Sequence, residues 1–157
     1  MQSNLNIVLF EPEIPPNCGN IIRLAANTNC NLHLIEPLGF DISTKSLRRA
    51  GLDYHEHTNI AIHKNFQDFL DTTEPKRLFA CSTKGKTSYS SVEYQQRDFL
   101  LFGPETRGLP QEIILHEKIS DIIRIPMHKS SRSLNLANSV SIILYEALRQ
   151  LEFPKMQ

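Results

Sequence analysis

The sequence predicts an α/β domain, a mostly parallel sheet flanked by helices. Two observations carry this expectation. Short apolar runs such as NIVLF at Asn6–Phe10 and FLLF at Phe99–Phe102 show no polar alternation, the pattern of strands covered on both faces. Between such runs lie stretches whose apolar residues recur every 3.6 positions, so strands and helices take turns along the chain. With 157 residues and no linker or low-complexity tract, the whole of 1–157 reads as one domain.

Taken in order, Asn6–Phe10 is a buried strand. The segment from Asn17 onward (NCGNIIRLAANTN) is a helix, because Ile21, Ile22, Leu24 and Ala25 recur at helical spacing. Leu32–Ile35 is a short strand closed by Pro37 and Gly39, and Thr44–Ala50 a brief basic helix that Gly51 can end in a left-handed conformation. Asn65 can cap a helix carrying Phe66, Phe69 and Leu70. Arg77–Cys81, Phe99–Phe102 and Ile122–Ile125 are further strands. Pro110 opens a helix at Gln111–His116, where its missing N–H leaves no bond unmade. From Asn135 to Leu151, residues Leu136, Val140, Ile143, Leu144, Ala147, Leu148 and Leu151 form a stripe long enough to pack on more than one surface.

Seventeen basic residues balance seventeen acidic ones, so any nucleic-acid surface must be a local patch and not a global excess of charge. Lys45, Arg48 and Arg49, then Lys84 and Lys86, then Lys129 and Arg132 are the clusters from which a fold could build one; each alone also reads as solvated surface. The opening residues lack the basic region and cleavage site of a secretory signal, and no stretch approaches the roughly 20 apolar residues that span a bilayer. Cys18, Cys30 and Cys81 are odd in number and lack the paired spacing of a zinc site. A cytoplasmic protein with no membrane segment and no metal is expected, its cysteines being small buried residues.

Three polar segments follow apolar runs, where α/β domains place ligands. In Pro15-Pro16-Asn17-Cys18-Gly19-Asn20-Ile21-Ile22-Arg23 a rigid entry leads into a helix whose first N–H groups can meet an anion, with Arg23 about one turn in; an ordinary cap with a surface arginine is the plain alternative. In Leu101-Phe102-Gly103-Pro104-Glu105-Thr106-Arg107-Gly108-Leu109-Pro110, Gly103 at a strand end permits close backbone approach to a ligand. A loop so tightly shaped reads as a binding loop in preference to one in which Glu105 and Arg107 merely form a surface ion pair worth little. The segment Ile125 to Ser139 joins a strand to the long helix through hydroxyls and amides, groups that both cap helices and bind polar ligands.

Together these segments resemble the three motifs of the SPOUT superfamily of RNA methyltransferases, closest to its minimal bacterial tRNA (cytidine/uridine-34)-2′-O-methyltransferase branch. The likeness runs from NIVLFEPEIPPNCGNIIRLAANT through LHLIEPLGF, LRRAGLDYHE and LFGPETRGLP to RIPM and SRSLNLANSVSIILYEALRQL, nearly the whole chain. It implies a C-terminal deep trefoil knot, against the general rule that connections do not thread loops. It also implies S-adenosylmethionine as cofactor with S-adenosylhomocysteine as product, tRNA as substrate, and a homodimer whose sites are each completed by the partner's first motif. By the same resemblance Arg23 and Asn20, with Ser133 and Asn135, are catalytic; Cys81, Ser82, Gly103, Glu105, Ile125, Ser133 and Leu134 hold the cofactor. Arg48, Arg49, Arg132 and Tyr145 meet RNA.

The implied reaction is in-line attack of a ribose 2′-oxygen on a sulfonium methyl, in which the protein aligns the reactants and helps remove the hydroxyl proton. An arginine is a poor general base. Arg23 therefore either acts as a base with its pKa lowered by the site, or stays charged and stabilises the developing alkoxide while a substrate phosphate or water takes the proton. Of the histidines only His128 lies even at the margin of a motif. A competing reading comes from Ala80-Cys81-Ser82-Thr83-Lys84-Gly85-Lys86-Thr87, a relaxed nucleotide-binding P-loop whose first glycine is replaced; it requires a helix to open directly after the loop. A non-catalytic RNA-binding module is disfavoured by the neutral charge and the lack of an aromatic-rich sheet motif.

Overall fold

A computed structural model describes residues 4–42 and 59–157. Thr44–Ala50, and with it Lys45, Arg48, Arg49 and Gly51, lies outside the described residues. The strands are β1 (Asn6–Phe10), β2 (Asn31–Ile35), β3 (Asn59–His63), β4 (Leu78–Cys81), β5 (Thr87–Ser88), β6 (Phe99–Phe102) and β7 (Asp121–Arg124); the helices are α1 (Pro15–Thr28), α2 (Phe66–Thr73), α3 (Gln111–Ile114) and α4 (Leu136–Gln150). The strands form one sheet in the order β3-β2-β1-β6-β4-β7-β5. Every neighbouring pair is parallel, as the unbroken apolar runs predict.

Alternate residues of the central strands serve opposite faces. Ile7 and Leu9 of β1 join Leu32, Leu34, Leu100 and Phe102 beneath α1 and α4, whereas Val8 and Phe10 join Ile35, Leu101 and Leu78 beneath α2 and α3. Within α1, Ile21, Ile22 and Ala25 are buried; within α4 the buried residues are Leu136, Val140, Ile143, Leu144, Ala147 and Leu148. The long stripe of α4 meets α1, β6 and the 3-10 turn Tyr89–Ser91, the several surfaces its length called for. Near its end Gln150 accepts from the Tyr94 N–H at 2.9 Å and donates to the Val92 carbonyl at 2.9 Å, fastening the chain after β5 to the helix.

Several boundaries differ from the sequence reading. The first helix starts at Pro15, because two prolines fit the first turn with φ already set. The helix expected over Gln111–His116 is a single turn ending at Ile114. β3 was not anticipated; it is an edge strand with Asn59 and Ile62 exposed and so lacks a clean apolar run. The P-loop reading fails at its structural requirement. After β4 the chain turns at Ser82–Gly85 into β5 and then the 3-10 turn, and no helix opens there.

Candidate functional site

β6, β4 and β7 are adjacent, so the loops leaving their carboxyl ends stand side by side. They enclose a cleft of about 310 Å³ with Phe102, Ile123 and Ile143 at its base. Cys81 and Ser82 form one wall, Gly103 to Leu109 a second, and Ile125, Arg132, Ser133 and Leu134 a third. The sheet thus brings together Cys81, Ser82, Gly103, Glu105, Ile125, Ser133 and Leu134, the residues expected from sequence to hold the cofactor.

Each wall has its own support. The Ser82 N–H donates to the Ile123 carbonyl of β7 at 2.9 Å, and its hydroxyl accepts from the Lys84 N–H at 3.1 Å. Gly85 closes this turn against β7; a Cβ there would stand 2.7 Å from the Ile122 carbonyl oxygen. In the second wall a Cβ on Gly103 would meet the Leu109 nitrogen at 2.3 Å. The need for glycine at that strand end therefore comes from the loop's own return, whereas the sequence reading ascribed it to a ligand. Gly108 has a φ of +68°, and its N–H donates to the Pro104 carbonyl at 2.9 Å. The third wall is exposed from Lys129 to Asn135, and the Ser131 N–H donates to the His128 carbonyl at 2.9 Å.

Glu105 does not pair with Arg107. Its two carboxylate oxygens accept from the backbone N–H groups of Glu13 and Ile14, each at 2.8 Å, and from Asn17 Nδ2 at 3.3 Å. Ile14 is the N-cap of α1 and has no capping side chain of its own. A carboxylate from a loop some ninety residues away in sequence therefore supplies negative charge to the start of the helix that carries Arg23, where the helix dipole favours it. Arg107 turns the other way, to Glu11 at 3.1 Å and Glu13 at 3.7 Å. The Thr106 N–H and hydroxyl bind Glu13 at 2.9 and 2.8 Å. These Thr106 bonds, with Arg107 nearby, hold the Glu13 carboxyl below its ordinary range.

Asn17 is the residue the sequence reading passed over. It donates to Glu105, and its Oδ1 accepts from Asn135 Nδ2 at 3.1 Å. One buried amide thus joins all three motif segments. Asn135 meanwhile caps α4, accepting from the Asn138 N–H at 3.1 Å. Its pairing with Asn17 spans the chain and leaves no local pattern; only the shared amide chemistry of the two segments hinted at it.

Arg23 and Asn20 lie on the exposed side of α1 and do not line the cleft. Tyr145 is 40% exposed on α4 and packs edge-on to Phe153, also away from the cleft. Arg132 is at the cleft. Burial pushes the Cys18 thiol up to about 12, with the Glu105 charge adding to it, and pushes the Cys81 thiol up as well. Both are held as neutral thiols, unsuited to nucleophilic attack. Among the described residues no cluster of His, Cys, Asp or Glu is placed to hold a metal ion, and no helix is long and apolar enough to cross a membrane.

Comparison with known proteins supplies the context. The SpoU rRNA Methylase family matches residues 4–145. A tRNA (cytidine(34)-2'-O)-methyltransferase of Yersinia pestis is 61% identical over 155 residues, covering 96% of each chain. The enzyme of the same name from Escherichia coli K12 is 58% identical over 150 residues, again with 96% of each covered. A solved structure concerned with the 2-OH methylation of C/U34 on tRNA superposes with a TM-score of 0.90 at 45% identity, covering 96% of this chain and 97% of that one. The SpoU methyltransferase AviRb of Streptomyces viridochromogenes, in complex with AdoMet, gives a TM-score of 0.85 at 26% identity over 97% of this chain and 62% of its own.

Proposed function

The chain belongs to the SpoU rRNA methylase family, within the SPOUT methyltransferases, and from that premise we propose that it methylates the ribose 2′-hydroxyl of the tRNA wobble nucleotide, a cytidine or modified uridine, using S-adenosylmethionine. The observation that carries this is the cleft at the carboxyl ends of β4, β6 and β7, walled by the second and third motif segments and tied to the first through Glu105, Asn17 and Asn135. Such a substrate puts its work in the cytoplasm.

The cleft residues suit the cofactor. Leu109, Ile125, Leu134 and Ile143 offer apolar cover for a purine, and the loop backbones with the Ser82 and Ser133 hydroxyls offer a few directed polar groups. When bound, S-adenosylmethionine supplies an electrophilic methyl on sulfur. Cys81, Ser82, Gly103, Ile125, Ser133 and Leu134 surround it in this reading. Glu105 lines the same cleft and, together with Asn17 and Asn135, keeps the walls in register.

Arg23 and Asn20 face outward from α1, which supports a homodimer in which the partner's Arg23 approaches each cleft. There the charged guanidinium stabilises the developing alkoxide while a substrate phosphate or water takes the proton, or the side chain in its neutral guanidine form takes the hydroxyl proton itself; Arg23→Lys separates the two, since a lysine retaining near-normal activity with a shifted pH profile removes the need for a fixed fork. Asn20, Ser133 and Asn135 orient the reactants, and the C-terminal trefoil knot belongs to the same reading.

The test is to incubate the protein with S-adenosylmethionine and tRNA and to locate methylated nucleosides by mass spectrometry. A 2′-O-methyl group at the wobble position, lost in Arg23→Ala, is the expected result; methylation elsewhere, or an unaffected Arg23→Ala, overturns it. Mixing Arg23→Ala with a cleft variant such as Gly103→Ala tests the shared site. Mixed dimers then contain one intact site and regain activity, whereas a site built within one chain regains none.

A further inference from the structure

The chain carries no net charge, yet its cleft does. Of the charged residues that line it, Glu105 is held by backbone N–H groups and Arg107 is paired with Glu11 and Glu13. Lys84, Arg124 and Arg132 line the same cleft, and among the described residues none of the three forms an ion pair. Like charges at one opening repel one another unless an anion joins them.

The fold fixes two of these cations. Lys84 sits in the turn that the Ser82 hydroxyl and Gly85 pin against β7, and its ammonium donates to Gln111 Oε1 at 3.4 Å. Arg124 is the last residue of β7, the strand next to β4. Arg132 reaches the opening from the exposed segment before α4. Two basic clusters separated in sequence therefore meet because β4 and β7 are neighbours, and the Ser-Thr-Lys-Gly-Lys text that resembles a P-loop gains a place in the site.

We propose that Lys84, Arg124 and Arg132 form a phosphate-binding rim that grips the tRNA backbone beside the nucleotide to be methylated, an inference that rests on the methyltransferase reading above. The cofactor is the wrong ligand for such a rim. Its sulfonium and ammonium outweigh its one carboxylate, so three cations would repel it on balance, whereas a polyphosphodiester offers an anion to each.

Binding of tRNA is measured across a salt series for the wild type, for Lys84→Ala, Arg124→Ala and Arg132→Ala, and for the triple variant, with S-adenosylmethionine affinity measured in parallel. Each single change should weaken tRNA binding several-fold and lower the slope of log K against log salt by about 0.7–0.9. Cofactor affinity should hold or rise, which also reports an intact cleft. Arg124→Lys should keep the slope, because a point charge suffices for a phosphate. Lys118→Ala, an exposed cation away from the cleft, should match the wild type. Unchanged slopes, an equal loss in Lys118→Ala, or loss of cofactor affinity with the slope intact would overturn the rim. Failure of the wild type to methylate the wobble ribose instead strikes the reading beneath it, since the slopes are measured without turnover.

Discussion

Among the described residues, a polar network at the strand ends and another within the sheet differ in what they join. At the carboxyl ends of the strands, Glu105, Asn17 and Asn135 link three loops far apart in sequence around a cleft. On the wing formed by β1, β2 and β3, Asn31 Nδ2 and His33 Nε2 both meet Asn6 Oδ1, at 3.0 and 3.2 Å, and His33 Nδ1 lies 3.0 Å from His63 Nε2. The amide oxygen only accepts, so His33 donates through Nε2 and leaves Nδ1 to accept from His63. Phe69 and Phe99 pack against His33. The wing network is the more deeply buried, yet it joins only neighbouring strands and contributes nothing to the cleft wall. Buried polarity alone does not mark a site; polarity that ties separate loops to one opening does.

Breaking the loop network should have the largest effect. Glu105→Ala removes a charged acceptor from three donors and should lower stability by about 2–3 kcal/mol, with methyl transfer falling further because the start of α1 loses its anchor; denaturant unfolding and turnover measure the two. Asn17→Ala severs both links at one residue and should cost about 2 kcal/mol by the same unfolding assay. If its methyl transfer equals the wild type's, the bridge has no part in the site.

Between pH 7 and 5 acid should act on the wing. Burial, with the charge of His63 beside it, lowers His33 to about 4, and burial lowers His63 while Asp68 opposes. The unfolded histidine titrates near 6.5, so between pH 6.5 and 4 the unfolded chain binds more protons and stability drops as pH falls. The loss from pH 7 to pH 5 should be on the order of 1–2 kcal/mol, and His33→Phe should flatten it in pH-dependent melting. Smallest of all, Asn59→Ala removes an exposed bond to Asn31 at 3.3 Å and should change the melting midpoint by less than about 0.5 kcal/mol equivalent; a larger effect would mean that the wing network extends to its edge.

Legibility followed the locality of the signal. β1, β4 and β6 were readable because strands buried on both faces need uninterrupted apolar residues, β2 and β7 as short apolar segments between polar loops, and α4 because its stripe recurs along the helix. β3 and β5 were not, since an edge strand with Ile62 facing solvent and a two-residue strand leave no such run. The three motif segments and most of the cleft residues were legible through family likeness and strand-end position. The loop of Glu105 and Arg107 reads as a binding loop and not as an ion pair, and the two side chains indeed leave it toward different partners. The pairing of Asn17 with Asn135 stayed hidden because sheet order, not sequence distance, brings them together.

That sheet order also governs how the molecule is made. Among the described strands each pairing is parallel, so none can begin as a hairpin, and Asn6 of β1 must wait for Phe99 of β6. The β1–β2–β3 wing can assemble while the rest of the chain is still emerging, but the walls of the cleft arise after β4, β6 and β7. The cleft is therefore among the last regions to take shape, and a chain released just before Asn135 would carry all seven described strands and no grip between its first and last motifs.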